Sequence, residues 1–405
     1  LFCYCRLRKY IESNSIRTKE SEYSMSLKTS SENSSFLKGL FREYYFKDST
    51  SLVTPSMIEK REFGYMSFDS IMVRHLSFRN KRELIARLVQ ESPSDVYCSN
   101  GYYKFPTNSV QSKEWEGADL IFDIDLKDLN MPCSSEHSFY VCDQCGTCNV
   151  SFLNACTVCL GRKISRTTIP CRKCLISLKK ETQRLFEFLH GDLGIADGSI
   201  ETFFSGNAGY HIHVSDSEFK TLDSRARSDL VDYICGNGIM NESIGVRKSK
   251  NGFYIKFPKS GMVFGWRRRV ASEFGINQSS ISKLKRIVES SGGYGQFKED
   301  LSTKAKLIGV RIDPHVTTDI HRIFRMPGTI NGKSSLLKVK STNLETFNPL
   351  DSACVLDDRQ VYIRSKVNLK LYLHENYFRI KNSIERLPAY AAAYVICKGL
   401  ADFIK

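Results

Sequence analysis

The chain has 405 residues, of which 41% are hydrophobic and 25% are charged, proportions ordinary for a globular protein with one large or two medium domains. Lys and Arg number 59 against 44 Asp and Glu, a net charge of +15, which favours a polyanionic partner such as nucleic acid or nucleotides. No stretch has the roughly eighteen uncharged apolar residues of a membrane span, so we predict no membrane association.

Residues 1–35 are rich in Ser, Lys, Arg and Glu, and we predict a disordered N-terminal tail. From Phe36 the apolar residues recur at helical spacing and predict a helix. The following segments have the patterns of short elements. They are a strand at 61–66, a strand at 70–78, a helix at 81–91 and a strand at 97–103.

Two acids interrupt an apolar, strand-favouring segment at 117–126. Because strand side chains alternate between faces, Asp123 and Asp125 project from the same side. Two adjacent carboxylates on a mostly buried strand are costly unless a cation neutralises them, and a divalent ion such as Mg²⁺ prefers oxygen ligands of this kind. The alternative is an edge strand with two solvated acids.

The cysteines cluster between residues 133 and 174. Cys142-x-x-Cys145 and Cys156-x-x-Cys159, with ten residues between them, have the spacing of a zinc ribbon. The first residues lack the long apolar core of a signal peptide, so we expect metal thiolates in a reducing compartment rather than disulfides.

A second set of possible ligands flanks the ribbon. Cys133 and His137 precede it, and Cys171 and Cys174 follow it. If the ribbon is an inserted finger, these four residues meet at its base and form a Cys₃His zinc site. The alternative is that Cys133 and His137 are surface residues without a ligand.

The rest of the chain alternates helices and strands. The predicted elements are an amphipathic helix at 174–190, strands at 200–205 and 210–214, a basic helical insertion at 222–300, a strand at 307–313, a helix at 318–325, a strand-rich segment at 334–373 and a closing helix at 388–403.

A glycine turn separates the strands at 200–205 and 210–214. Gly206 and Gly209 allow a tight turn whose backbone N–H groups can face an anion. Ser205 adds a hydroxyl, and His211 is placed to reach the same anion. Taken singly, a strand histidine is more often a hydrogen-bonded structural residue.

A third group of polar residues lies near the C-terminal end of the chain. Asp313 at a predicted strand end can supply a third carboxylate beside the first two. Arg325, at the end of the predicted helix, and Lys333, after a glycine turn, can both reach triphosphate oxygens.

In this order and at these separations, the motifs resemble those of the small catalytic subunit of archaeal and eukaryotic DNA primases, nearer the archaeal form. The resemblance covers roughly residues 36–405. Its main motifs are Asp-Ile-Asp at 123–125, Ser-Gly-x-x-Gly-Tyr-His at 205–211, Arg-x-Asp at 311–313, Arg-x-Pro-Gly at 325–328 and Gly-Lys at 332–333.

The resemblance implies an α+β archaeo-eukaryotic primase fold, in which a mixed β-sheet catalytic core is flanked by helices. The core would comprise 36–132, 175–221 and 301–405, interrupted by a zinc-binding insert at 133–174 and a helical insertion at 222–300.

The resemblance also implies template-directed synthesis of short RNA primers, with DNA as a further product, for DNA replication. Asp123, Asp125 and Asp313 would hold two Mg²⁺ or Mn²⁺ ions, and the cysteine sets would hold Zn²⁺. The expected nucleotide-binding residues are Ser205, Gly206, Gly209, His211, Arg325, Lys333 and Arg74.

The expected partners are a primase large subunit in a heterodimer, a single-stranded DNA template and nucleoside triphosphates. The expected location is the cytoplasm of an archaeon, associated with the nucleoid, or the nucleus of a eukaryote. Two alternatives stay open: a repair or end-joining primase-polymerase of the same fold, and a non-catalytic zinc-ribbon protein that binds nucleic acid.

Two departures from the family pattern concern phosphate binding. The glycine turn usually carries at least one Arg, but this chain has Asn207 and Ala208. The later run usually has a His where this chain has Asn331. Either nucleotide affinity is reduced, or another basic residue compensates.

Overall fold

The computed structural model describes residues 31–48, 52–256, 264–275 and 281–405. The predicted tail up to residue 30 lies outside the described residues, and a helix already occupies 31–35. The helices are α1 (31–47), α2 (Lys81–Glu91), α3 (Arg172–Gly191), α4 (Ser224–Cys235), α5 (Gly265–Glu273), α6 (Ile281–Ser290), α7 (Tyr294–Ile308), α8 (Pro314–Thr318), α9 (Pro349–Ser352) and α10 (Ala389–Cys397).

Short strands lie between the helices. They are β1 (Phe63–Met66), β2 (Met72–Leu76), β3 (Asp95–Ser99), β4 (Gly101–Tyr103), β5 (Trp115–Ala118), β6 (Leu120–Asp125), β7 (Ser138–Cys142), β8 (Cys148–Asn149), β9 (Ile164–Thr168), β10 (Ile200–Phe204), β11 (Gly209–Val214), β12 (Val246–Ser249), β13 (Gly252–Ile255), β14 (Ile323–Arg325), β15 (Val339–Ser341), β16 (Gln360–Ser365), β17 (Leu369–Leu373), β18 (Asn376–Ile380), β19 (Ile384–Pro388) and β20 (Ala401–Ile404).

Two four-stranded sheets form the centre of the protein. One has the order β14-β3-β1-β2 and the other β15-β10-β11-β6. The three-stranded sheet β8-β7-β9 carries the cysteine-rich insert, and β19-β16-β20 lies near the C-terminus. Helices flank antiparallel strands, which confirms the α+β class. Within the described ranges, no helix is long and apolar enough to cross a membrane.

Helix α3 illustrates how the sequence pattern produces the packing. Leu178, Leu185 and Leu189 recur on one face of the helix and are fully buried, as its amphipathic pattern predicts. This face packs against β6 and β11. The apolar residues of β6, such as Phe122 and Ile124, are fully buried as well. The acids of β6 therefore face away from α3.

Several predicted boundaries are wrong. The segment 318–325 is not a helix, because α8 ends at Thr318 and Arg325 belongs to β14, which pairs with β3. The strand predicted at 307–313 is absent from the described chain, since α7 extends to Ile308. The insertion at 222–300 contains the β12–β13 hairpin as well as helices. The closing helix ends at Cys397 and is followed by β20.

Candidate active site and metal centres

The pairing of β6 with β11 positions the first two acids. In this antiparallel register, Asp123 lies opposite His211 and Asp125 lies opposite Gly209. A Cβ atom on Gly209 would lie 2.5 Å from Asp125 Oδ1 and 2.6 Å from the Ile124 carbonyl oxygen. Only a residue without a side chain permits this close approach, which explains the glycine at this position.

The third acid, Asp313, reaches the first two through the backbone. Its amide N–H donates to the Asp123 carbonyl oxygen at 3.0 Å, and its carboxylate caps α8 by accepting from the His315 amide. Thr317 Oγ1 donates to the Ile121 carbonyl oxygen at 2.9 Å and holds α8 against β6. Acids that are far apart in sequence therefore lie side by side.

The electrostatics of this group fit a cation site. Burial, followed by the charge of Asp125, raises the pKa of Asp123 to about 7. Burial also raises the pKa of Asp125, against the opposing effect of Lys127 at 3.3 Å. Asp123 Oδ1 is buried without a hydrogen-bond donor. Oxygen donors in such a place suit hard divalent ions.

The spacing of the acids differs from that of a closed cage for one ion. In the described part of the chain, only the two cysteine sets bring three or more possible ligand atoms within 4.8 Å of one another. The three carboxylates are therefore more widely spaced.

The glycine turn lies beside the acids and packs against residues 331–336. Gly206 has φ +83°, and a Cβ atom there would lie 2.8 Å from the Leu336 carbonyl oxygen. Ser205 is buried, its amide donates to the Gly209 carbonyl oxygen at 2.9 Å, and its hydroxyl accepts from the Asn207 amide at 3.4 Å.

Both unusual asparagines have partners in this region. Asn207 Oδ1 accepts a 2.6 Å hydrogen bond from Lys398 Nζ. Burial lowers the pKa of Lys398 to about 8. Asn331 links the two loops, since its Nδ2 donates to the Ser205 carbonyl oxygen and its Oδ1 accepts from the Lys333 amide. The structure thus brings a lysine to the turn that lacks its usual arginine.

His211 lies in a buried polar cluster. Lys338 Nζ is 2.9 Å from His211 Nδ1, 3.0 Å from His213 Nε2 and 3.0 Å from the Arg325 carbonyl oxygen. Burial lowers the pKa values of the lysine and both histidines well below their usual ranges.

Lys338 Nζ can donate hydrogen bonds to the Arg325 carbonyl oxygen and to the facing ring nitrogens of His211 and His213. His211 Nε2 lies 3.5 Å from Asp123 Oδ1. Burial opposes the protonated form of His211, and this residue lies beside Asp123 as part of the buried cluster.

The two arginines expected at the nucleotide both form ion pairs. Arg325 pairs with buried Asp95, which also accepts from the Gly332 amide at 3.0 Å. Arg74 Nε and Nη2 contact both carboxylate oxygens of buried Glu62 at 3.0 and 3.2 Å. Lys113 also contacts Glu62, at 3.1 Å, so this cluster retains a positive charge.

Lys333 is exposed and lies close enough to Asp125 to lower its pKa. Its position follows from the loop beneath it, because Asp95 holds the Gly332 amide and Asn331 holds the Lys333 amide. Of the predicted nucleotide-binding cations, Lys333 is the most available to a ligand.

Sequence reasoning missed the positions of Lys338 and Lys398 in the site. Lys338 is completely buried although it follows two leucines in an alternating run, where a lysine is expected to be solvated. Lys398 belongs to a Lys-Gly motif near the C-terminus that resembles the family. No local signal connects it to the turn at Asn207.

The four ribbon cysteines converge. Cys142 Sγ is 3.5 Å from Cys159 Sγ, and Cys145 Sγ is 3.5 Å from Cys156 Sγ. Sulfur atoms around one tetrahedral Zn²⁺ are ~3.8 Å apart when each Zn–S bond is about 2.3 Å. The donor set and its spacing fit zinc.

The second set also comes together at the base of the ribbon. Cys133 Sγ is 3.7 Å from Cys171 Sγ and 3.6 Å from Cys174 Sγ, and His137 Nε2 is 3.4 Å from Cys174 Sγ. Burial lowers the pKa of His137, which favours the neutral imidazole that ligates metals. These four residues likewise fit zinc.

Comparison with known proteins gives consistent results. The family model described as DNA primase small subunit matches residues 165–342. DNA primase small subunit PriS of Cenarchaeum symbiosum (strain A) is 39% identical over 363 residues, which cover 89% of this chain and 96% of the relative. The protein of the same name from Nitrosopumilus maritimus (strain SCM1) is 39% identical over 371 residues, covering 90% and 97%.

More distant relatives bear the same name. PriS of Archaeoglobus fulgidus is 30% identical over 375 residues, covering 91% of this chain and 98% of the relative. Among solved structures, the polymerase domain from Mycobacterium tuberculosis ligase D in complex with DNA matches with a TM-score of 0.36 and 11% identity, covering 76% of this chain and 83% of that one. That structural likeness is too weak to support an argument.

The buried cluster around Lys338 predicts a large effect on stability. We expect Lys338→Met to lower the free energy of unfolding by about 3 kcal/mol or more, because three buried groups lose their shared hydrogen-bonding partner. Lys340→Met is the matched control, since Lys340 is exposed and its pair with Glu201 contributes at most about 1 kcal/mol. Urea denaturation measures both variants. If both variants lost the same free energy of unfolding, Lys338 would have no special structural role.

Proposed function

The chain belongs to the DNA primase small-subunit family and is of the archaeal type; on this premise we propose how its own residues carry out primer synthesis. It is a nucleotidyltransferase and the catalytic subunit of a primase that acts in DNA replication. The family assignment favours this function over a repair polymerase or a non-catalytic nucleic-acid-binding protein.

Asp123, Asp125 and Asp313 are the proposed ligands of two Mg²⁺ or Mn²⁺ ions. The observation that carries this proposal is the strand register that aligns the first two acids, together with the 3.0 Å hydrogen bond from the Asp313 amide to Asp123. Bound divalent ions would lower the pKa of the attacking 3′-hydroxyl and neutralise charge on the leaving pyrophosphate.

The proposed triphosphate site is the surface between the glycine turn and Lys333. Ser205, Gly206 and Gly209 shape the turn, while Lys333 and Lys398 supply positive charge near the acids. His211 lies beside Asp123, with its Nε2 atom 3.5 Å from Asp123 Oδ1. Arg325 acts mainly by holding the loop of Lys333 through Asp95.

Arg74 is the remaining cation of the proposed nucleotide site. It shares Glu62 with Lys113, and one carboxylate cannot neutralise two cations. The pair therefore retains a net positive charge for a nucleotide or template phosphate.

The remaining proposals concern cofactors, partners and location. We assign one Zn²⁺ to each cysteine set, a large subunit as the heterodimer partner, and single-stranded DNA and nucleoside triphosphates as template and substrates. The cytoplasm of an archaeon, near the nucleoid, is the proposed location. The domain division into a core at 36–132, 175–221 and 301–405 with inserts at 133–174 and 222–300 also stays a proposal.

Loss of either strand acid should abolish catalysis. We expect Asp123→Ala and Asp125→Ala to lower template-dependent nucleotide incorporation at least about 1,000-fold, because several kcal/mol of transition-state charge stabilisation depend on the bound ions. Asp229→Ala, which removes an exposed acid on α4, should retain full activity. Circular dichroism checks that the fold persists. Undiminished synthesis by either strand variant would refute the metal-site assignment.

The cysteine sets predict two zinc ions per chain. Elemental analysis of purified protein should give two equivalents, and Cys156→Ser should reduce the content to one because it removes a ribbon ligand. Cys148→Ser is the control, since Cys148 lies between the ribbon pairs but outside both sets, with its thiol donating to the Gly399 carbonyl oxygen at 3.2 Å. Retention of two equivalents by Cys156→Ser would contradict the ligand assignment.

Lys398 predicts a pH dependence of nucleotide binding. Because the pKa of Lys398 is about 8, its side chain is charged below that pH and loses its proton above it. Affinity for a nucleoside triphosphate should therefore fall as pH rises through about 8. We expect Lys398→Met to bind about tenfold more weakly at pH 7 and to lose this dependence.

Isothermal titration calorimetry between pH 6.5 and 9, with Lys340→Met as the control, tests this prediction. The same pH profile in wild-type protein and Lys398→Met would show that Lys398 does not compensate for the missing arginine of the glycine turn.

A further inference from the structure

A basic groove lies behind the catalytic sheet, outside the cleft of the acids. It has a volume of about 1490 Å³ and is formed by α3, the base of the cysteine-rich insert and the β17–β18 hairpin. Phe347 lines the groove and contacts Tyr210, with ring centroids 6.5 Å apart. Since Tyr210 and His211 project from opposite faces of β11, the groove and the catalytic acids lie on opposite sides of the sheet.

The charge of the groove is strongly unbalanced. Among the residues that the structure describes, its only acidic lining residues are Glu136 and Glu345. The basic lining residues are Arg172, Lys179, Lys180, Lys370, Arg379 and Lys381. This surplus is complementary to a polyanion.

The outer face of the hairpin concentrates this charge. Lys370 lies directly opposite Arg379 in the register, and both side chains are exposed. Like charges in directly opposed positions destabilise a strand pair. In the described part of the chain, neither residue takes part in an ion pair. An anionic ligand bridging the two cations would relieve their repulsion.

Two tyrosines stand next to this cation pair on the same face. Tyr372 lies opposite Tyr377, and the two are 40% and 56% exposed. The cation pair and the tyrosine pair are about 7 Å apart along the strands. A single nucleotide can span this distance between its base and its phosphate. Exposed aromatic rings beside cations form the usual surface for stacking unpaired bases.

We propose that the β17–β18 hairpin and the adjoining face of α3 bind single-stranded nucleic acid, separately from the catalytic cleft. Phosphates contact Lys370 and Arg379, and bases stack on Tyr372 and Tyr377. The strand continues along the groove towards Lys180. This inference goes beyond the proposed function, because it requires neither nucleotide nor divalent ion.

Fluorescence anisotropy of the full-length chain with a labelled oligothymidylate, without nucleotide or Mg²⁺, tests the proposal. We expect Lys370→Glu/Arg379→Glu to weaken binding at least tenfold and to reduce the slope of log K against log salt by about 1.4, as for two lost phosphate contacts. Tyr377→Ala should weaken binding roughly 5- to 100-fold and leave this slope unchanged.

The matched control is Arg286→Glu/Lys298→Glu, which makes the same charge change at exposed positions on α6 and α7. Lys370→Gln/Arg379→Gln provides a milder change at the hairpin, and thermal melting verifies that each variant folds. Addition of Mg²⁺ and a nucleoside triphosphate should leave the difference between the hairpin variants and the control unchanged, which separates this surface from the catalytic site. The proposal is overturned if the affinity of the folded hairpin variants for the oligonucleotide is within twofold of the affinity of the control variant.

Discussion

The close pairing of β6 with β11 is the constraint on which the site depends. It sets Asp123 opposite His211 and Asp125 opposite Gly209, and the missing side chain of Gly209 lets the second carboxylate occupy that space. The same strand receives the amide of Asp313. A shift of one residue in this register would turn both strand acids towards α3, where charged groups would be buried among leucines. The packing of α3 thus protects the orientation of the acids.

The cations around the acids divide into two groups. Lys338 is buried and connects His211, His213 and the Arg325 backbone, while Arg325 is committed to Asp95. Lys338 and Arg325 thus hold the neighbouring loops in place. Lys333 is exposed, and Lys398 reaches the turn where the family usually has an arginine. Asn207 and Asn331 both have hydrogen-bond partners within this region.

The cysteine-rich insert supports the site from two directions. Cys171 immediately precedes α3 and Cys174 lies in its first turn, so the second set fixes the start of the helix that packs behind β6. On the ribbon side, Cys148 contacts the carbonyl oxygen of Gly399, next to Lys398. Zinc would stabilise elements that position both the acids and Lys398.

Sequence patterns predicted correctly those helices and strands whose formation depends mainly on residues close to them in the chain. Helix α2 has the predicted bounds, and β10 and β11 lie within one residue of them, because a glycine turn separates two clear alternations. The segment 318–325 was misassigned because β14 forms only by pairing with β3, more than 200 residues away. The alternating sequence around Lys338 and Lys340 also gives no reason to expect one lysine to be buried and the other exposed. Burial of Lys338 depends on partners from two other segments, which no local pattern reveals.

Two acids of β6 and a third from a distant segment, Asp313, are proposed to hold two divalent ions together. Anomalous diffraction from crystals grown with Mn²⁺ and a non-hydrolysable nucleoside triphosphate measures this directly. The account predicts two manganese peaks about 3.5–4 Å apart, with Asp123, Asp125 and Asp313 all supplying ligands. Manganese bound elsewhere, or bound without Asp313, would contradict it.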